Sequence, residues 1–505
     1  MLFNSYHFIL GFLPLSLVGY HFAGRVGATA AAIWLTLCSL GFYAIWNLNF
    51  VPLLLMSIIL NFAIGQILLH PERERLVFAP RTWLAIGVVG NLLPLVYFKY
   101  LGAILSFFVA ADAWSSASLY LILPLGISFF TFTQIGYLVD CHQGQAKDLD
   151  IARYALFVSF FPHLAAGPLL HVREIGPQLQ QPSTYRLSWE NLAYGATYFV
   201  LGLSKKIMLA DPLASFVGLT FTHPDASAFL SSWLAIIAFS FQLYFDFSGY
   251  SDMAIGLAAM FGVKFPLNFD SPYKAKDVIE FWQRWHMTLT RYLTLLLYNP
   301  IGLWITRRRL ERGLPLFRRS STTLGAFLSS VAAPTFLTMT LAGAWHGAGL
   351  QFLVFGLLHA SYLTINHAWQ VFGPSPRPTT PHAAKAAMNA AAVVLTFVAI
   401  LVANVFFRAS SIDDAMLLLR SMVGLNGFAS PLDATAPSTL EFAARFIIVW
   451  TLPNSQQIMQ KLLDSSQPER PAQPRRLAWS YAVGALLACD LLLLQDSRVF
   501  LYFQF

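Results

Sequence analysis

The sequence predicts an all-α polytopic membrane protein. Three observations carry that expectation: the composition, the recurrence of long apolar runs, and the sidedness of the basic residues between them. Of the 505 residues, 57% are hydrophobic, 15% aromatic and only 11% charged, whereas about a quarter are charged in a soluble domain. A soluble fold could not cover so much apolar surface; a bilayer can.

A span needs about 20 mostly apolar residues. Twelve stretches qualify: 5–22, 28–46, 50–69, 83–110, 119–139, 190–220, 229–262, 321–343, 349–369, 388–407, 439–453 and 477–495. The first carries no basic n-region and no small-residue cleavage site, so it reads as a retained span rather than a removable signal. Segment 151–170 is apolar too but holds Pro162, His163, Gly167 and Pro168. It is expected to be re-entrant, because broken backbone at membrane depth survives only where protein or water satisfies it.

Orientation follows from Lys and Arg. With the loop around Arg73, Arg75 and Arg81 in the cytoplasm and sides alternating from there, the bases fall on the cytoplasmic side or its edge, leaving only Lys99, Arg408, Arg420, Arg445 and Arg498. Lys205 and Lys206 join that side only if their span starts late or if they snorkel. Both termini then lie outside. The base-rich stretch 263–320 is a cytoplasmic insertion in what reads as one membrane domain, 1–505. Lipid headgroups account for the net charge of +8 better than nucleic acid does. Cys38, Cys141 and Cys489 are isolated and form no disulfide framework. Neither a metal site nor a bound cofactor is expected, and no Walker loop, GxSxG elbow or dinucleotide fingerprint is present.

Three places could carry chemistry. Segment 277–298 is amphipathic at helical period, with Asp277, Glu280, Arg284, Thr288 and Arg291 on one face and Val278, Trp282, Trp285, Leu289, Tyr292 and Leu296 on the other. It is expected to be an interfacial helix with its Trp face down. His286 sits at the edge of that face, either packed between tryptophans or functional. His346 stands between two apolar runs among Ala342, Gly343, Ala344, Gly347, Ala348 and Gly349. Small residues permit close approach, and an ionisable group at membrane depth is a functional candidate. It reads equally as a general base or as a histidine bonded to a carbonyl at a tight turn. The run 239–262 holds Gln242, Asp246, Ser248, Ser251 and Asp252; carboxylates so deep are expected to pair with a Lys or Arg of a neighbouring helix. His142, His163, His171, His359 and His367 show no metal spacing.

Several segments together resemble the membrane-bound O-acyltransferase family, in its bacterial alginate O-acetylase-like branch. They are MLFNSYHFILGFLP at the N-terminus, FFPHLAAGPLLH (160–171), FQLYFDFSGYSDMAIGLAAMFG (241–262), NFDSPYKAKDVIEFWQRWHMTLT (268–290), LAGAWHGAGLQFLVFGLLHA (341–360) and FLYFQF (500–505). The resemblance implies about twelve transmembrane helices, with re-entrant and interfacial ones, in a ring around a central tunnel. It implies an essential histidine in Trp345-His346-Gly347 and a second, on the donor's cytoplasmic route, in Arg284-Trp285-His286. Two stretches depart from the pattern: Thr294-Leu295-Leu296 stands where Arg-Asp-Tyr is usual, and His163 where Gln is more usual.

The implied activity is transfer of an acyl group, in the first place acetyl, from a cytoplasmic thioester (acetyl-CoA or an acyl carrier) to a polysaccharide outside the bacterial inner membrane. Such relatives often work with a periplasmic partner transferase. Within the family, the alternatives are D-alanyl transfer toward teichoic acid and O-acetylation of cellulose or peptidoglycan. Outside it stand a lipid-linked sugar transporter, to which intramembrane acids are equally suited, and a non-catalytic scaffold.

Overall fold

The computed structural model describes residues 1–71, 78–106, 122–318, 322–374, 381–429, 436–464, 474–494 and 500–501. Regular structure among them is entirely helical. Among the described residues, seven helices are long and apolar enough to cross a bilayer: His7–Val26, Ala28–Trp46, Leu48–Leu69, Pro80–Gly102, Phe229–Met260, Leu324–His346 and His382–Arg408. The protein is a multi-pass membrane protein. The remaining expected spans are also helical but are shorter, interrupted or less apolar. Ile127–His142 covers most of 119–139, whose first three residues lie outside the described set. Leu350–Phe372 and Pro474–Leu493 match 349–369 and 477–495. Thr439–Trp450 has 12 residues, about 18 Å of helix, well short of the ~30 Å hydrocarbon core.

The chain divides into two compact units. One comprises Met1–Met208, Asp246–Leu267 and Gln457–Gln504; the other comprises Leu209–Phe245 and Asn268–Gln456. In the first unit, expected span 190–220 is broken into Trp189–Ser204, a π-helical turn Lys205–Ala210, a 3-10 turn Asp211–Leu213 and Ala214–Thr222, the last two belonging by sequence to the second unit. Helix Trp189–Ser204 is capped by Ser188, which accepts from Asn191 N–H. It packs on the second half of Phe229–Met260 with almost no separation. A Cβ on Gly195 or Gly202 would collide with the carbonyl oxygen of Gly256 or Gly249 respectively. The seven-residue spacing repeats on both helices and makes backbone-to-backbone approach possible.

At the end of that seam two ion pairs form. Lys205 Nζ lies 2.6 Å from Asp252 Oδ2, and Lys206 Nζ 2.6 Å from Asp246 Oδ1. The intramembrane carboxylates are thus paired with lysines of a neighbouring helix, as their depth required. Lys206 is 2% exposed, so it does not snorkel. The other Asp246 oxygen, Oδ2, accepts the N–H of Leu501, 2.9 Å away.

The re-entrant candidate 151–170 is broken at Phe160, between Ile151–Ser159 and Phe161–Leu164. Its freed polar groups are satisfied by side chains. Phe161 N–H donates to Ser39 Oγ (3.2 Å) instead of closing the helix, and His163 Nε2–H donates to the Phe157 carbonyl (2.9 Å) that this leaves open. His163, buried in this way, has a structural task.

Segment 277–298 is not one amphipathic helix. Val278–Arg284, capped by Asp277 accepting from Glu280 N–H (2.8 Å), stops at Trp285-His286. The chain resumes as Met287–Leu293, a π-helical turn Thr294–Tyr298 and Asn299–Glu311. The break is imposed from outside the segment: Asp270 N–H donates to Arg284 O, and Met287 N–H to Asn268 O, both at 2.9 Å. Tertiary hydrogen bonds here override helical periodicity. The turn at 294–298 coincides with the Thr294-Leu295-Leu296 departure, and π-turns are frequent at functional sites.

Candidate active site

All three histidines of the candidate site lie in the second unit. His346 is the last residue of helix Ala333–His346, which ends because Gly347 is extended (φ −172°). The following helix, Leu350–Phe372, folds back on it. The hairpin is close because Gly343 and Gly356 face each other: a Cβ on Gly343 would fall 2.8 Å from Gly356 Cα and collide with the Phe352 carbonyl oxygen. His346 is 8% exposed. Its ring lies 5.0 Å from that of Phe407 and 6.0 Å from that of Phe355, centroid to centroid. An imidazole at a narrow, apolar-walled helix end suits proton transfer from a hydroxyl held there.

His286 occupies the break in 277–298 with φ 43° and ψ 52°, the left-handed region. Among the described residues only Ser271 and His286 have positive φ without being glycine, and both belong to the same 268–287 assembly. Such backbone costs of order 1–3 kcal/mol and tends to gather at functional sites. Asn268 holds the ring, with Oδ1 3.0 Å from His286 Nδ1. The same oxygen accepts from Thr288 N–H (3.3 Å) and Thr288 Oγ (2.9 Å). A backbone N–H can only donate, so the Asn268 atom is an acceptor and His286 Nδ1 must carry the proton. Neutral His286 therefore presents Nε2 as its basic nitrogen. Burial pushes its pKa down to about 3, so it is neutral at physiological pH.

Between the two lies a residue that motif spacing did not single out. His359, one helical turn after Phe355, is 1% exposed. Its Nδ1 accepts the indole N–H of Trp282 at 3.2 Å. Its ring lies 4.6 Å from Phe355, 5.1 Å from Trp282 and 6.4 Å from Phe281, nearly parallel to the last at 12°. Phe281 stacks on Trp285 at 5.7 Å, Trp285 meets Phe269 at 5.0 Å, and Phe269 lies over His286 at 6.4 Å. A continuous aromatic wall thus links His286 to His346 through His359. Sequence reading named the two ends and missed Asn268, Trp282 and His359. His359 shows no metal spacing in the sequence; its signal is its place one turn from Phe355 on the hairpin's second helix. Asp246 and Asp252, in the other unit, are committed to their lysines.

A family model described as MBOAT, membrane-bound O-acyltransferase family, matches residues 130–313. The peptidoglycan O-acetyltransferase of Helicobacter pylori is 34% identical over 100% of this chain and 98% of its own length. A protein of Azotobacter vinelandii named "Probable alginate O-acetylase AlgI" is 32% identical over 100% of each chain. The teichoic acid D-alanyltransferase of Bacillus subtilis is 27% identical over 51% of this chain and 63% of its own length. Similarity at this level over the full length shows that the chain belongs to the membrane-bound O-acyltransferase family and is an acyltransferase.

Proposed function

We propose that the protein transfers an acetyl group from a cytoplasmic thioester, with coenzyme A or an acyl carrier as leaving group, to hydroxyls of a polysaccharide outside the bacterial inner membrane. The observation that carries this reading is the seat of His346, a buried imidazole at a helix end inside a glycine-tightened hairpin. A sugar hydroxyl titrates far above neutrality and needs a base as it reaches the thioester carbon. Imidazole, with an ordinary pKa of about 6.5, is suited to that work without a large shift. His346 takes the hydroxyl proton and returns it to the departing thiolate. His286, with Nε2 as its basic nitrogen, serves the donor's approach from the cytoplasmic insertion. A periplasmic transferase completes delivery to the polymer.

Peptidoglycan and alginate are both supported as acceptors, since relatives of each name align over the whole chain at nearly equal identity. D-alanyl transfer is the second reading, supported by a relative that aligns over half of the chain. The transporter reading loses its main observation, because the intramembrane acids have lysine partners.

The test is His346→Gln in purified enzyme given acetyl-CoA, or an acetylated carrier, with peptidoglycan glycan or alginate as acceptor. Glutamine keeps much of the size and hydrogen bonding but cannot accept the proton. Thiol release and ester formation are expected to fall by about 10² to 10⁴ with accumulation unchanged. Near wild-type turnover would refute the assignment.

A further inference from the structure

Resting on the acyl-transfer reading above, we infer that His359 is a catalytic residue whose Nε2–H donates a hydrogen bond to the acyl carbonyl oxygen and holds the oxyanion formed there.

The inference begins with a tautomer. An indole nitrogen is a donor only, so the 3.2 Å contact fixes His359 Nδ1 as the acceptor and places the ring proton on Nε2. A protonated ring would set two N–H groups against each other, so Trp282 also selects the neutral form. Nε2–H makes no hydrogen bond to any described residue, although the side chain is 1% exposed. Donors in so enclosed a setting are usually satisfied. Such a donor in an aromatic box, fixed in direction by its neighbours, is suited to an acceptor that arrives with a ligand.

Position supplies the second argument. The Phe355 ring touches both imidazoles, His359 at 4.6 Å and His346 at 6.0 Å. The two are on facing elements of one hairpin whose spacing is set by Gly343 and Gly356. They divide the roles chemically. His346 receives a proton, whereas His359 keeps its own.

The step balances as follows. The acceptor oxygen attacks the thioester carbon while His346 removes the hydroxyl proton, and the C=O π pair moves onto oxygen. His359 Nε2–H donates to that oxyanion without releasing its proton. The carbonyl re-forms, the C–S bond breaks, and the His346 imidazolium protonates the thiolate, leaving ester and free thiol. The hydrogen bond to His359 strengthens as charge develops, so it acts on kcat more than on donor binding.

The experiment compares His359→Leu, His359→Gln and Trp282→Phe in detergent-purified full-length enzyme, measuring thiol release from acetyl-CoA. Loss of a preorganised oxyanion donor typically costs about 10² to 10³ in kcat. His359→Leu is expected to show that loss with donor KM nearly unchanged. His359→Gln, which retains an amide N–H, is expected to recover part of it. Trp282→Phe releases the tautomer and is expected to fall between wild type and His359→Leu. The pH profile should keep its shape in all three, since His359 does not titrate in the step. If His359→Leu does not accumulate, the glutamine and Trp282 variants decide alone. Equal rates in wild type, His359→Gln and Trp282→Phe, or losses confined to KM, would overturn the inference. A normal His359→Leu beside an inactive His346→Gln would sink this role and leave the acyl-transfer reading standing; an active His346→Gln would sink that reading instead.

Discussion

Asp246→Asn is expected to destabilise the protein far more than a neutral swap of the same size normally does. Lys206 and Asp246 are each 2% exposed and 2.6 Å apart, so the substitution leaves an ammonium deep in a low-dielectric interior. Removing one member of a buried pair costs about 3–5 kcal/mol. The Phe500 ring, 4.8 Å from Nζ, can offset no more than about 2 kcal/mol. Asparagine can still accept the Leu501 N–H, so the substitution changes the charge and keeps that hydrogen bond. Adding Lys206→Met removes that charge and should restore most of the stability. The assay is the thermal midpoint in detergent, followed by tryptophan fluorescence, for wild type, both single variants and the double. The expected pattern is a drop of several degrees for Asp246→Asn and recovery in the double, a coupling visible only in the full cycle. A wild-type midpoint for Asp246→Asn, or a further drop on adding Lys206→Met, would refute the reasoning.

Two other outcomes are expected. Because burial lowers His286 from 6.5 to about 3, it does not titrate near neutrality in the folded enzyme. His286→Ala should therefore weaken donor use at limiting donor while the near-neutral limb of kcat/KM stays in place; a vanished limb would assign that titration to His286. The sign for stability follows: the unfolded chain takes up this proton below about 6.5 and the folded chain only near 3, so the contribution is complete above 6.5 and lost as pH falls toward 3. In topology mapping, a reporter fused at Arg309 should report cytoplasm and one fused after Phe505 the outside. The outside location requires the 12-residue helix Thr439–Trp450 to cross where the bilayer thins around it; the same side for both would show that it does not and would overturn the twelve-span arrangement.

The helical membrane class was legible because apolar length is a one-dimensional property of sequence. The lysine partners of Asp246 and Asp252 were legible as a kind of residue, since a buried carboxylate must find a cation, but which lysines could not be told. The ends of the site, His286 and His346, were visible through motif resemblance. What lay beyond reading was the interruption at His286. Periodicity over 277–298 is genuinely helical, and the break is imposed by Asn268 and Asp270, whose approach no local pattern records. His359 was hidden for a related reason. Its meaning depends on an indole 77 residues away, and spacing along one helix carries no trace of it.

The left-handed backbone at His286 has a consequence for anyone improving this enzyme. Glycine is the residue that this geometry prefers, yet His286→Gly would relieve strain of only about 1 kcal/mol while emptying the place of a buried imidazole and breaking its bond to Asn268, a loss of about 2–5 kcal/mol. Libraries ranked by heat resistance or expression would therefore keep the histidine whether or not turnover uses it. Selection at position 286 has to be read by turnover, because there a side chain that holds the fold and one that serves the donor are the same residue.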